Sequence, residues 1–369
     1  LPAAVEAAPP GATVELAAGR HLLPAGLRIT KPLRIKGESA ETTVIQTTVL
    51  EGEALLADKV DGFTLEGVTV EYTGPAPPDG RTDFPSLLSV AGGRADVSNC
   101  VFRNSAGFGV IFKEGVTASL KKSRVEGSSI IGVYVKGKGT SVALEENSVH
   151  KSGADGIGFY NDAAGTIRGN ICAENGENGI TVSAAISGEV PVSGNTCEKN
   201  RWDGIRACIG SKVRIEANTC LHNGDRGISV DTAGTGVIIG NTCTGNPMGV
   251  DIRSAGTVAT AEGNTCSESD EAGISVYFGA NGTVTKNTCL KNRGAGVRVS
   301  HWESQGDVRE NVCADNGRSG IVVNQGARAT VRGNESRRNG EFGVVVSDEE
   351  SQAEVADNTT SDNGGGEVE

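Results

Sequence analysis

Short runs in which apolar and polar side chains alternate recur along the whole chain. Ile228-Ser229-Val230 and Val250-Asp251-Ile252 are two of them, and each follows a glycine. A period of two marks a β-strand with one face buried, and no stretch shows the three-to-four spacing of an amphipathic helix. The runs fall into groups of three separated by turns, so each group predicts three short strands.

The groups repeat. Aligned on the asparagine of Asn-x-Cys, one column holds Asn99, Ser123, Asn147, Asn170, Asn195, Asn218, Asn241, Asn264, Asn287, Asn311, Asn334 and Asn358, at intervals of 23 to 25 residues. Two residues later a second column runs Val101, Val125, Val149, then Cys172, Cys197, Cys220, Cys243, Cys266, Cys289 and Cys313, then Ser336 and Thr360. Five after the first asparagine comes another asparagine, from Asn104 to Asn363. Three strands per repeat bury their inward side chains only if the chain coils and the coils stack in register about 4.8 Å apart. The pattern therefore predicts an all-β, single-stranded parallel β-helix of about 13 to 14 coils, roughly 60 Å long. Asparagine suits the bend between the second and third strands, because it tolerates left-handed backbone and its amide can bond the next asparagine in the stack.

Length alone, at 369 residues, would suggest two or three domains. A solenoid grows by adding coils, so one continuous domain over 1–369 is expected instead. Residues 1–8 read as an N-terminal cap, 71–86 as a loop insertion of about eight residues beyond one coil, and 359–369 as a frayed end. Fifty-three glycines, 4% aromatics and a single methionine fit many strands and turns. The net charge of −12 opposes a nucleic-acid partner and also a polyanionic substrate. No run of eighteen apolar residues is present, so no membrane span is expected. The chain opens LPAAVEAAPPG, without a methionine or a signal peptide. A fragment or processed form of a longer polypeptide is expected from that opening.

The segment GIGFYNDAAGTIRGNICAENGENGITV, 156–182, resembles the repeats of right-handed parallel β-helix proteins of the pectate-lyase-like superfamily, in particular carbohydrate-associated β-helix repeats. The opening coils, 9–46, are similar to the first coils of that superfamily. The resemblance implies that the Gly-Ile-x-Val strand is the first of each coil, and that a substrate lies along its outer face. It implies no single chemistry, because the superfamily holds lyases, hydrolases, epimerases, adhesins and noncatalytic modules.

The cysteines form a line one coil apart, whereas zinc needs four converging ligands, so no metal and no other cofactor is expected. The column exchanges cysteine with valine and serine, and buried free thiols acting as small hydrophobes are the expectation. Free thiols favour a cytoplasmic location, with export to the periplasm or beyond left open.

Outward positions of the first strands concentrate polar groups. One column holds Arg206, Asp251 and Arg298, and the next holds Tyr160, Asp231, Arg253 and Tyr277. Asp231 and Asp251 lie one coil and two positions apart, about 8 Å between backbones, a scale at which two carboxylates can serve as acid and base in an inverting glycosidase. The alternative is an ion pair of Asp231 with Arg253 on a solvated face. His301 and Trp302 offer a surface on which a sugar ring stacks, although Trp302 could equally cover the end of the core. The expected ligand-binding set is Tyr160, Asp162, Arg206, Arg253, Tyr277, Arg298, His301 and Trp302, with Asp231 and Asp251 as catalytic candidates. No calcium-binding run of aspartates and no DPHD-type stretch like that of mannuronan epimerases is present. The leading expectation is a noncatalytic module that binds an extended glycan or peptide. A polysaccharide lyase, hydrolase or epimerase is the rival, and a structural spacer within a larger protein is the third reading.

Overall fold

The computed structural model describes residues 1–76, 84–185 and 187–368. The chain is a parallel β-helix of about 15 turns with three strands per coil. Its residues cluster into two compact units, Leu1–Gly179 and Ile180–Glu369. Three more coils are present than the asparagine motif counts. The third strands Gly19–Leu23, Thr43–Thr47 and Thr69–Tyr72 belong to coils that lack that motif and were invisible to it.

In the first unit, third strands stack in parallel from Gly19–Leu23 through Thr69–Tyr72 to Ile171–Ala173. A six-residue helix, Pro2–Ala7, precedes the first coil and buries Val5. Lys31 Nζ donates to the Glu6 carbonyl at 2.9 Å, tying the helix down. The loop insertion lies partly outside the described residues, at 77–83. Its described start is anchored, because Glu71 accepts bonds from Gln46 and Arg103, and Tyr72 Oη donates to the Pro75 carbonyl at 2.7 Å.

In the second unit, first strands run in parallel register from Ile180–Ser183 and Ile205–Cys208 to Phe342–Val346. Third strands from Thr196–Glu198 to Thr359–Ser361 form the other sheet. Alternation turns Ile228, Val230, Val250, Ile252, Ile274 and Val276 inward, all fully buried. The cysteine column completes this core, with Cys220↔Cys243, Cys243↔Cys266 and Cys266↔Cys289 in register, and all nine cysteines of the chain are free. The glycine before each first strand is dictated by the same column. A Cβ on Gly249 would come within 2.8 Å of Cys266 Cβ and 2.4 Å of the Gly273 carbonyl.

The bends correct one detail of the sequence reading. The left-handed residue is the one before the ladder position, as at Ala217 (φ 53°) and Lys286 (φ 56°); Asn99 (φ 52°) is itself such a residue, because the pairing of Val101 with Arg124 sets Cys100, not Asn99, in line with Ser123. The ladder asparagine holds the bend through its amide instead. Asn218 and Asn241 each use the backbone N–H and Nδ2 to bond the next asparagine's Oδ1, at 2.8 to 3.0 Å. Their Nδ2 groups also reach the Val192 and Ile215 carbonyls.

Candidate functional site

Four first strands of the second unit carry the polar cluster: Ile205–Cys208, Arg226–Val230, Met248–Arg253 and Ile274–Tyr277. Parallel register sets Arg206 beside Ser229, Ser229 beside Asp251, Asp251 beside Ser275, and Arg253 beside Tyr277. Side chains one coil apart interlock on the outer face.

Asp231 is gripped from both sides. Arg206 Nε donates to its Oδ2 at 3.0 Å, Thr232 Oγ1 donates to Oδ1 at 2.6 Å, and Arg253 approaches Oδ2 at 3.7 Å. The expected partnership with Arg253 is therefore present but secondary to Arg206. Asp251 shares the Arg253 guanidinium at 3.7 Å and takes a shorter bond, 2.5 Å, from Arg226 Nε. Arg226 lies 3.7 Å from Asp203, whose other oxygen accepts from Ser229 Oγ at 2.6 Å. Asp203, Arg226, Asp251, Arg253, Asp231 and Arg206 thus form one alternating array.

The array is layered in depth. The Asp251 and Asp231 side chains are 0% and 2% exposed, whereas Arg206 and Arg253 remain 31% and 24% exposed. The carboxylates lie beneath a roof of guanidinium groups. Burial pushes the Asp251 carboxyl up to about 6, against the pull of Arg226 and Arg253. Burial likewise raises Asp203, opposed by the Ser229 bond and the Arg226 charge. Burial works against the charge of Arg226, but Asp251, Asp203 and Asp225 outweigh it and raise its pKa. One oxygen of Asp251, Oδ1, is buried without a hydrogen-bond partner, as are Ser275 Oγ in the next coil and Arg298 Nε in the one after. Unmade bonds to buried polar atoms are uncommon, and three in successive coils of one column mark a strained patch.

An aromatic group adjoins the array. The Tyr277 and Phe278 rings are 4.1 Å apart, and His301 sits edge-on to both, at 5.4 and 4.3 Å. Arg298 lies 5.8 Å from the Tyr277 ring and 3.4 Å from Glu271. Burial lowers the His301 pKa, with the Arg298 charge adding to it. Trp302 stands apart in the turn beyond, 67% exposed, and does not cover the core. In the first unit, Tyr160 donates to Asp155 and packs edge-on to Tyr134 at 5.3 Å, while Asp162 occupies a left-handed turn position, φ 64°.

Asp203, Arg226 and Phe278 were missed by the sequence reading. Asp203 and Arg226 occupy the position before the turn glycine, a column that also holds Asp155 and Asn178. Reading that column as a polar line would have found them. Among the described residues no group of three or more His, Cys, Asp or Glu is placed to hold a metal ion.

Residues 109–265 and 210–360 match the family model described as a right handed beta helix region. No curated protein matches the chain in sequence. Among solved structures, the N-terminal fragment of bacteriophage Phi29 gene product 12 shares 12% identity over 93% of this chain and 66% of its own, with a TM-score of 0.64. A mutant of the periplasmic alginate epimerase AlgG shares 14% over 96% and 82%, TM-score 0.52. The catalytic unit of a GH87 α-1,3-glucanase from Streptomyces thermodiastaticus shares 14% over 94% and 64%, also at 0.52. At such identities the likeness is one of fold.

Proposed function

We propose that this chain, which belongs to the right-handed β-helix family, is a noncatalytic recognition module that binds a glycan along the first-strand face of its second unit. One observation carries the reading. The Asp231 and Asp251 carboxylates are sealed beneath Arg206, Arg226 and Arg253, so the face offers a ligand guanidinium edges and the Tyr277, Phe278 and His301 rings. Such a surface supplies hydrogen-bond donors and apolar ring faces, the combination that suits a sugar, and keeps Asp231 and Asp251 from direct contact with a ligand. Two structures that the chain resembles are named as an alginate epimerase and an α-1,3-glucanase, which supports a polysaccharide over a peptide as ligand.

The test is a panel of neutral and acidic polysaccharides, followed by calorimetry for binding and by assays for reducing ends and unsaturated products. Binding without products is expected, and Tyr277→Ala or Arg298→Ala weakens it about tenfold. Product formation that disappears in Asp231→Asn or Asp251→Asn overturns the noncatalytic assignment.

A cleaving enzyme on the same face is the second reading. It draws on the Asp251 carboxyl, raised to about 6 with Oδ1 unpartnered, which are the properties of a general acid. Arg206 or Arg253 would then hold a sugar acid. The free, buried thiols support a reducing compartment as the working location.

A further inference from the structure

The turn that follows the first strand carries a second surface. His301 and Glu303 take left-handed backbone, φ 74° and 64°, and the turn between them thrusts Trp302 outward. One side of the indole rests on Gly326, where an added Cβ would come within 3.1 Å of the ring. Gly326 is itself held, its N–H donating to Ser351 Oγ at 2.9 Å. Beside the ring opens a cleft of about 510 Å³, to whose lining the preceding coils contribute, among the described residues, Ala255, Gly256 and Gly279. Its rim carries Arg328 and Gln305 as donors and Glu303 and Glu350 as acceptors.

We infer that this cleft is a sugar-binding subsite that stacks one uncharged pyranose unit on Trp302. An indole exposed to this extent costs hydration free energy, which a C–H face of a sugar ring removes. Hydroxyl groups both donate and accept, and the rim presents both kinds of partner around the ring. Two carboxylates against one guanidinium leave the rim net negative, which disfavours a uronate and selects an uncharged sugar. The Gly-Ala floor leaves room for the ring to lie flat. None of the residues of the arginine–aspartate array takes part, so the subsite stands or falls separately from the first-strand face.

The test uses the Trp202→Phe chain, in which Trp302 is the remaining indole, titrated with glucose hexasaccharides of α-1,3, β-1,3 and β-1,4 linkage. Saturable change in Trp302 emission with one of the three is expected. Calorimetry with that hexasaccharide should show binding lost in Trp302→Ala, and weakened about tenfold in Ala255→Leu, which fills the floor but keeps the indole. Both substitutions are at exposed positions, and unchanged melting temperatures verify the fold. Binding that persists in Trp302→Ala, or no response to any of the three, overturns the subsite. Loss in Tyr277→Ala with Trp302→Ala unaffected would place the sugar on the first-strand face and reject the cleft; the reverse pattern would keep the cleft and count against that face.

Discussion

At the scale of single residues, Asp251 offers the sharpest physical handle. Its folded carboxyl titrates at about 6, against 3.8 for an ordinary aspartate. Below pH about 4 both states are protonated, and the group contributes nothing to pH dependence. Between about 4 and 6 the folded protein binds more protons than the unfolded chain, so stability falls as pH rises, by about 3 kcal/mol in all. Asp251→Asn removes that slope while keeping the shape of the side chain. The difference in unfolding free energy between wild type and Asp251→Asn, measured by urea denaturation from pH 4 to 7, should shift by about that amount in favour of the variant as pH rises. A difference that stays flat refutes the raised value. Alternation along the strand read Asp251 correctly as outward, but period-two patterning reports direction and not depth. Of the arginines that cover it, Arg253 lies two residues on along the same strand, but Arg226 comes from the preceding coil, 25 residues before, and no local pattern encodes its reach.

At the scale of the bend, stability rests on asparagine amides compensating for strained backbone. A non-glycine residue in left-handed conformation costs about 1 kcal/mol or more, and such residues precede the ladder asparagine at Ala217, Lys286, Glu310 and Asp357. Asn241 closes five contacts: it donates twice to Asn264 Oδ1 and once to the Ile215 carbonyl, and it accepts from the Asn218 N–H and Nδ2. In Asn241→Ala the backbone donation to Asn264 survives, while both Asn218 donors lose their shared acceptor in a dry site. A cost of about 2 kcal/mol is expected, from the Asn218 backbone N–H left without its acceptor, the Asn218 amide reduced to the Val192 and Glu216 carbonyls, and the lost bond to the Ile215 carbonyl. Asn241→Ser, which keeps an acceptor as Ser123 does in the same column, should cost less than half of that. Equal losses in the two variants would show that volume, not hydrogen bonding, sets the bend. The existence of this ladder was legible from spacing alone, because 23-residue periodicity leaves few other ways to bury three strands. Which residue turns left-handed was not, since alanine, lysine, glutamate and glycine all serve there and composition carries no signal.

At the scale of the whole second unit, the cysteine column runs through the core as a row of reporters. Cys197 to Cys313 are fully buried, and their environment of neighbouring thiols and apolar walls holds Cys220, Cys243, Cys266 and Cys289 well above the ordinary thiol range. A thiol in that state reacts only when its coil opens. Coils of a solenoid touch only their neighbours, so opening should spread from the less protected coils. Labelling the native protein with a maleimide, with mass spectrometry to locate the adducts, should therefore give different rates at different cysteines of the column. Denaturation without reductant should then expose nearly nine reactive thiols, the full complement of the chain. A single common labelling rate for the column would mean that the unit opens in one cooperative step, and a total near one would mean that the stacked cysteines are paired as disulfides.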